Sequence, residues 1–216
     1  MSELVTRLGR LVVPDAEADR RRRRAEESAR LHRSRELWNL SEVPCRHAEG
    51  ALRPPPMDPE HPWVRTRAHV LASLGGGVSI CLAGPRGNGK TQIAVDAVLK
   101  VTGQGRAALF RTAHRLLMEF KTTFDRRARL TEVQVLDGYR RPRLLVVDEM
   151  GQGTQSDWEQ RTLFEVLNAR YNDLTDTILT RNLGVEDLKR NVGPSLVSRM
   201  REGGGIVECD WPSFRP

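Results

Sequence analysis

The stretch Gly84-Pro85-Arg86-Gly87-Asn88-Gly89-Lys90-Thr91 decides how the chain is read. It fits G-x-x-x-x-G-K-[ST], with an apolar run before it and a helical pattern after it. Val78 to Leu82 reads as a buried strand, and Ile93, Ala94, Ala97, Val98 and Val101 recur at helical spacing behind the loop. Glycines between a strand and a helix let successive N–H groups and the positive helix end face one anion, while Lys90 adds a full charge. The spacing predicts a P-loop in which Gly84, Pro85, Arg86, Gly87, Asn88, Gly89, Lys90, Thr91 and Gln92 surround a nucleotide and the Thr91 hydroxyl serves a magnesium ion.

Downstream, Leu144-Leu145-Val146-Val147 runs into Asp148-Glu149. Four consecutive aliphatic residues suit a central parallel strand, whose carboxyl end is where ligands of open α/β sheets sit. The two acids therefore fall beside the P-loop, Asp148 as a magnesium ligand and Glu149 to orient the attacking water. Thr177 to Thr180 reads as the next strand, with Asn182 at its tip, either a turn residue or a group that meets the terminal phosphate.

The remaining elements alternate. A helix over Trp63 to Leu74, a strand over Ala107 to Phe110, helices over His114 to Phe124, from the Ser156 capping box onward and over Ser195 to Arg201, and a last strand over Ile206 to Cys209 predict an α/β fold. Its sheet is mostly parallel and five-stranded. Pro54-Pro55-Pro56, Pro59 and Pro62 form a stiff connector. It divides residues 1–60, a charged helical arm and linker expected to dock a partner, from a nucleotide-binding domain over 61–216. Leu4, Val5, Leu8, Leu11 and Val12 mark a first helical stripe in the arm, and Ala16 to Trp38 a second, charge-rich one.

The chain of 216 residues is 38% hydrophobic and 29% charged, so it holds one good core. No apolar run reaches bilayer length, and the start lacks a basic segment followed by a hydrophobic one; the expectation is a cytoplasmic protein with no membrane partner. Cys45, Cys81 and Cys209 have no metal or disulfide spacing. The net charge of +7 does not come from the arm, which carries 12 basic and 11 acidic residues over 1–60; residues 106–143 carry 10 basic and 4 acidic ones. Arg115, Lys121, Arg126, Arg127 and Arg129 in that block are candidates for a polyanion footprint, an ordinary solvated basic face being the alternative.

Taken in order, GPRGNGKT, LLVVDEMG, TILTRNL and GPSLVSRMREGGGIVECDWPSFR resemble the DnaC/IstB family of AAA+ ATPases over about residues 60–216, and DnaC-type replicative helicase loaders in particular. The resemblance implies an AAA+ core, ATP and Mg2+ as cofactors, and ATP hydrolysis; with the sequence running only to Pro216, the expectation is a core without the separate C-terminal lid domain of many AAA+ proteins. It implies Lys90, Glu149 and Asn182 as catalytic residues, and Arg199 as an arginine finger offered to the nucleotide of an adjacent subunit. It further implies self-assembly, single-stranded DNA bound by the basic block, and a hexameric replicative helicase gripped by the arm. An IstB-type transposition helper acting on duplex DNA and a non-hydrolysing ATP-clamped adaptor stand as alternatives.

Overall fold

The computed structural model describes residues 16–48, 56, 58–151, 156–182 and 194–215. Helix α1 (Ala16–Leu40) and the short α2 (Cys45–Ala48) lead into α3 (Pro62–Ser73), β1 (Ser79–Ala83), α4 (Lys90–Gly103) and β2 (Ala108–Thr112). Then come α5 (Ala113–Lys121), a single 3-10 turn (Thr122–Phe124), α6 (Glu132–Arg140), β3 (Leu144–Met150), α7 (Asp157–Asn172), β4 (Asp176–Arg181), α8 (Pro194–Gly203) and β5 (Gly204–Glu208). The expected helical stripe over 4–12 lies outside the described residues.

The five strands pair in the order β2-β3-β4-β1-β5, and every pairing is parallel. Because side chains alternate along a strand, each strand feeds two layers. Ile80, Leu82, Leu144, Val146 and Ile178 meet α3, α4 and Trp211 on one face. Cys81, Ala83, Leu145, Val147 and Leu179 meet α5, α6, α7 and α8 on the other. Burial on both faces is why β1 and β3 read as unbroken apolar runs.

Two differences from the sequence reading have local causes. Residues 125–143 carry no expected helix, yet Glu132–Arg140 forms α6, started by a reciprocal Thr131/Gln134 capping box. The arm also does not stop short of the domain: Trp38 and Val43 pack against the layer around α4. The Phe110 amide donates to Ser41 O at 2.8 Å, and Arg111 donates to Glu42 Oε1 at 2.7 Å. The end of the arm thus covers the β2 edge of the sheet, which lowers the hazard of an open strand.

The amino ends of the strands are tied by two buried charges. Asp176 accepts from the amides of Gly75 (2.8 Å), Gly77 (2.9 Å) and Val78 (3.1 Å), fixing the turn into β1. Arg170, fully buried, donates to the carbonyls of Tyr139 (2.7 Å), Arg140 (3.2 Å), Pro142 (3.0 Å) and Asp176 (2.5 Å) and to Thr177 Oγ1 (3.0 Å). Desolvation pulls its pKa down to about 10, so it remains charged at neutral pH. The functional end of the sheet is the opposite one.

Candidate nucleotide-binding and catalytic site

Beyond the carboxyl ends of β1, β3 and β4 lies a cavity of about 390 Å3, lined by Arg86 to Gln92, Asp148, Glu149, Thr180, Asn182, His47, Trp63, Phe214 and Arg215. Its size suits a bound small molecule. The loop between β1 and α4 closes around it because glycine occupies the positions where the backbone must turn left-handed. Gly89 has φ 80°, and a Cβ there would stand 2.5 Å from Trp63 Nε1. Gly84 has φ 153°, and a Cβ there would strike the Cys209 carbonyl.

Lys90, the first residue of α4, is buried, and its ammonium donates to Gly84 O (2.9 Å), Pro85 O (2.6 Å) and Asn88 Oδ1 (2.9 Å). Burial pushes its pKa down. Those three acceptors hold the cation over the loop.

Thr91 Oγ1 donates to Asp148 Oδ1 at 3.1 Å. The Asp148 carboxylate is buried and also accepts from Thr180 Oγ1. The same Thr180 oxygen accepts from the Glu149 amide at 3.2 Å. A register shift between β3 and β4 after Val147 releases Asp148 and Glu149 from regular pairing with β4, and Glu149 has φ 59°, rare for a residue with a side chain. Strain of that kind is kept where function needs a side chain re-aimed. Here it turns Asp148 inward and leaves the Glu149 carboxylate exposed on the cavity wall.

The cavity therefore brings together Arg86, Gly87, Asn88, Gly89, Lys90, Thr91, Gln92, Asp148, Glu149 and Asn182. Gly84 and Pro85 contribute carbonyls to Lys90 rather than cavity wall. Arg199 is not on this wall: it lies on α8 beside the rings of Phe164 and Tyr171. The basic block is elsewhere as well. Arg115 is paired with Glu119 at 3.1 Å and Lys121 with Glu159 at 3.4 Å, while Arg126, Arg127 and Arg129 are exposed after the 3-10 turn.

Several wall residues escape a reading based on motifs. Thr180 is the last threonine of the β4 run, recognisable only once β4 is known to neighbour β3. Arg215 is brought in by the chain after β5, which folds back over the P-loop. Trp211 Nε1 donates to Asn88 O at 2.7 Å, the Phe214 amide donates to Gly87 O at 2.9 Å, and Asn88 Nδ2 donates to Cys209 O. Phe214 meets the Trp63 ring edge-on, with centroids 6.3 Å apart. So a second cation, Arg215, joins Lys90 on the cavity wall. His47 arrives on α2, and its pKa is lowered, first by burial and against the pull of Asp148.

Known proteins are similar to this chain in sequence and in fold. The replicative helicase loader DnaC of Escherichia coli K12 is 27% identical over 152 residues, covering 70% of this chain and 62% of the relative, so the chain spans less than two thirds of that relative's length. A putative ATP-binding protein of insertion sequence IS5376 from Geobacillus stearothermophilus is 29% identical over 120 residues, covering 56% of this chain and 46% of the relative. The fold matches the crystal structure of the DnaC helicase loader with TM-score 0.63 at 22% identity, covering 76% of this chain and 98% of that one. It matches the crystal structure of DnaI with TM-score 0.57 at 18% identity, covering 84% and 93%. The sequence pattern of the IstB-like ATP binding proteins matches residues 64–199, well over half of the chain. With the P-loop, the paired acids and the strand-tip asparagine gathered at one end of a five-stranded parallel sheet, the chain belongs to the IstB-like ATP binding protein family.

Proposed function

We propose that the chain is an ATPase that loads a ring-shaped replicative helicase onto single-stranded DNA; its DnaC relatives are named replicative helicase loaders. The observation that carries the proposal is the convergence of Lys90, Thr91, Asp148, Glu149 and Asn182 on one cavity. The hydroxyl of Thr91 and the carboxylate of Asp148 are two hard oxygen donors 3.1 Å apart, a donor pair that fits a magnesium ion keeping most of its waters. Such an ion would neutralise charge on the phosphates. Lys90 and the loop amides bind those phosphates, Glu149 orients a water against the terminal phosphorus, and Asn182 meets the terminal phosphate from the β4 tip. Arg199, remote from its own cavity, is the finger that a neighbouring copy receives.

For single-stranded DNA the candidate surface is the end of α5 and the turn after it. Lys121 lies over the Trp158 ring at 5.3 Å, and Phe124, 61% exposed, meets the same ring at 5.4 Å. Arg126, Arg127 and Arg129 stand exposed just beyond. Cations beside an exposed ring, Phe124, and a partly buried one, Trp158, suit a backbone held by charge and bases held by stacking. Arg115 is the weakest member of the set, being committed to Glu119. The exposed outer part of α1 is the surface proposed to grip the helicase, and the cytoplasm is the compartment such work requires.

ATP turnover with single-stranded, double-stranded and no DNA tests the reading in wild type and Glu149→Gln. Stimulation by single strands, with turnover lost and ATP binding kept in Glu149→Gln, is the expected result. Stimulation by duplex alone would replace the loader with a transposition helper, and binding without turnover would leave an ATP-clamped adaptor.

A further inference from the structure

Arg199 is half-buried, with its guanidinium carbon 5.2 Å from the centroid of the Tyr171 ring and 6.0 Å from that of Phe164. Its Nη1 is buried and has no hydrogen-bond partner among the described residues. A half-buried arginine usually takes a carboxylate, and Glu202, three residues further along α8, has the right spacing to supply one. That acid is engaged elsewhere: Tyr171 Oη donates to Glu202 Oε2 at 2.9 Å. The bond pushes the Tyr171 pKa up, so the phenol keeps the proton that occupies Glu202. Among the described residues the guanidinium is thus stabilised by ring faces, which leave its charge intact, rather than by an acid, which would cancel it.

We infer that Tyr171 is a positioning residue for Arg199: its ring, with Phe164, holds the guanidinium, and its hydroxyl draws Glu202 aside, so α7 and α8 present an unneutralised cation to the nucleotide phosphates of a second copy of this chain. The inference rests on the reading of Arg199 as a finger acting between subunits. It adds a specific device: one tyrosine serves as platform for the arginine and as decoy for the competing acid. Removing only the hydroxyl frees Glu202 to capture Arg199, and the neighbour's nucleotide must then compete with an ion pair formed within α8.

Two readouts on the full chain test this: kcat and KM for ATP, and ATP-dependent self-association measured by sedimentation in a Glu149→Gln background that needs no hydrolysis. Tyr171→Phe should lower kcat about fivefold, the upper end of what an exposed ion pair costs to break, with KM unchanged, and should weaken association to a similar degree. Tyr171→Phe combined with Glu202→Gln should return both to within about twofold of wild type, an outcome a folding defect in Tyr171→Phe would not give. Tyr171→Phe matching wild type while Arg199→Ala abolishes turnover overturns the inference and leaves the finger standing. A double variant as impaired as Tyr171→Phe overturns the decoy as well. Arg199→Ala without effect, or a wild type that neither turns over nor associates with ATP, overturns the finger and the inference together.

Discussion

Among single residues, Thr180 carries more than its type suggests. Its hydroxyl donates to Asp148 and accepts from the Glu149 amide, so one oxygen sets both acids. Thr180→Val keeps the volume and removes that oxygen, leaving a part-buried N–H without its acceptor, which costs about 1 kcal/mol. Thermal unfolding should show the loss, and kcat should fall about tenfold while ATP affinity barely changes, since the phosphate-binding groups are untouched. The cysteines give a second prediction at this scale. Burial raises the thiols of Cys81 and Cys209 to about 12, whereas Cys45 is exposed. Only the thiolate reacts, so iodoacetamide at pH 8 should label Cys45 alone in the native chain, and the other two after denaturation. Labelling of Cys209 in the native protein would mean that the strap over the P-loop opens freely.

At the scale of elements, what matters is how strand ends are held. The carboxyl ends of β1, β3 and β4 border the cavity, so holding their amino ends helps keep the acids in place. Arg170 and Asp176 do this with eight hydrogen bonds between them, five donated by the arginine and three accepted by the aspartate. Arg170→Met fills similar volume but strands four carbonyls, those of Tyr139 and Asp176 buried and those of Arg140 and Pro142 partly so. It should destabilise the fold by about 3–5 kcal/mol in urea unfolding, and Arg170→Lys should recover only a small part, because an ammonium has three donors and no fork. A loss below about 1 kcal/mol would show that water replaces the arginine there.

For the whole molecule, the arm is attached where the sheet would otherwise have a bare edge. Arg111 reaches Glu42 at 2.7 Å and Glu119 at 3.1 Å, and Ser41 O takes the Phe110 amide. Glu42 is more than half exposed, so its pair with Arg111 contributes at most about 1 kcal/mol; the apolar contact of Trp38 contributes more. Trp38→Ala should therefore speed hydrogen exchange at Phe110 at least tenfold and expose residues 41–48 to limited proteolysis, while Glu42→Ala does neither. Equal protection in Trp38→Ala would place the anchor of the arm elsewhere. Among the described residues no helix is long and apolar enough to cross a membrane.

The P-loop, the strand that ends in Asp148 and Glu149, the alternation of strands with helices, and so the parallel sheet, are written in the order of residues along the chain. Each of these depends on local chemistry: glycines that permit a turn, an apolar run that needs two covered faces, a helix start that a capping box announces. α6 was legible in the same way, through Thr131 and Gln134, but its short apolar stripe is obscured by the surrounding arginines. The rest of the site follows from packing between distant segments. Thr180 matters because β4 lies beside β3, Arg215 because the chain after β5 returns over the P-loop, and His47 because α2 packs near α4. The same holds for Tyr171, whose ring lies under Arg199 and whose hydroxyl holds Glu202 on the neighbouring helix. These residues come from separate segments, and no spacing along the chain encodes a distance that only packing creates.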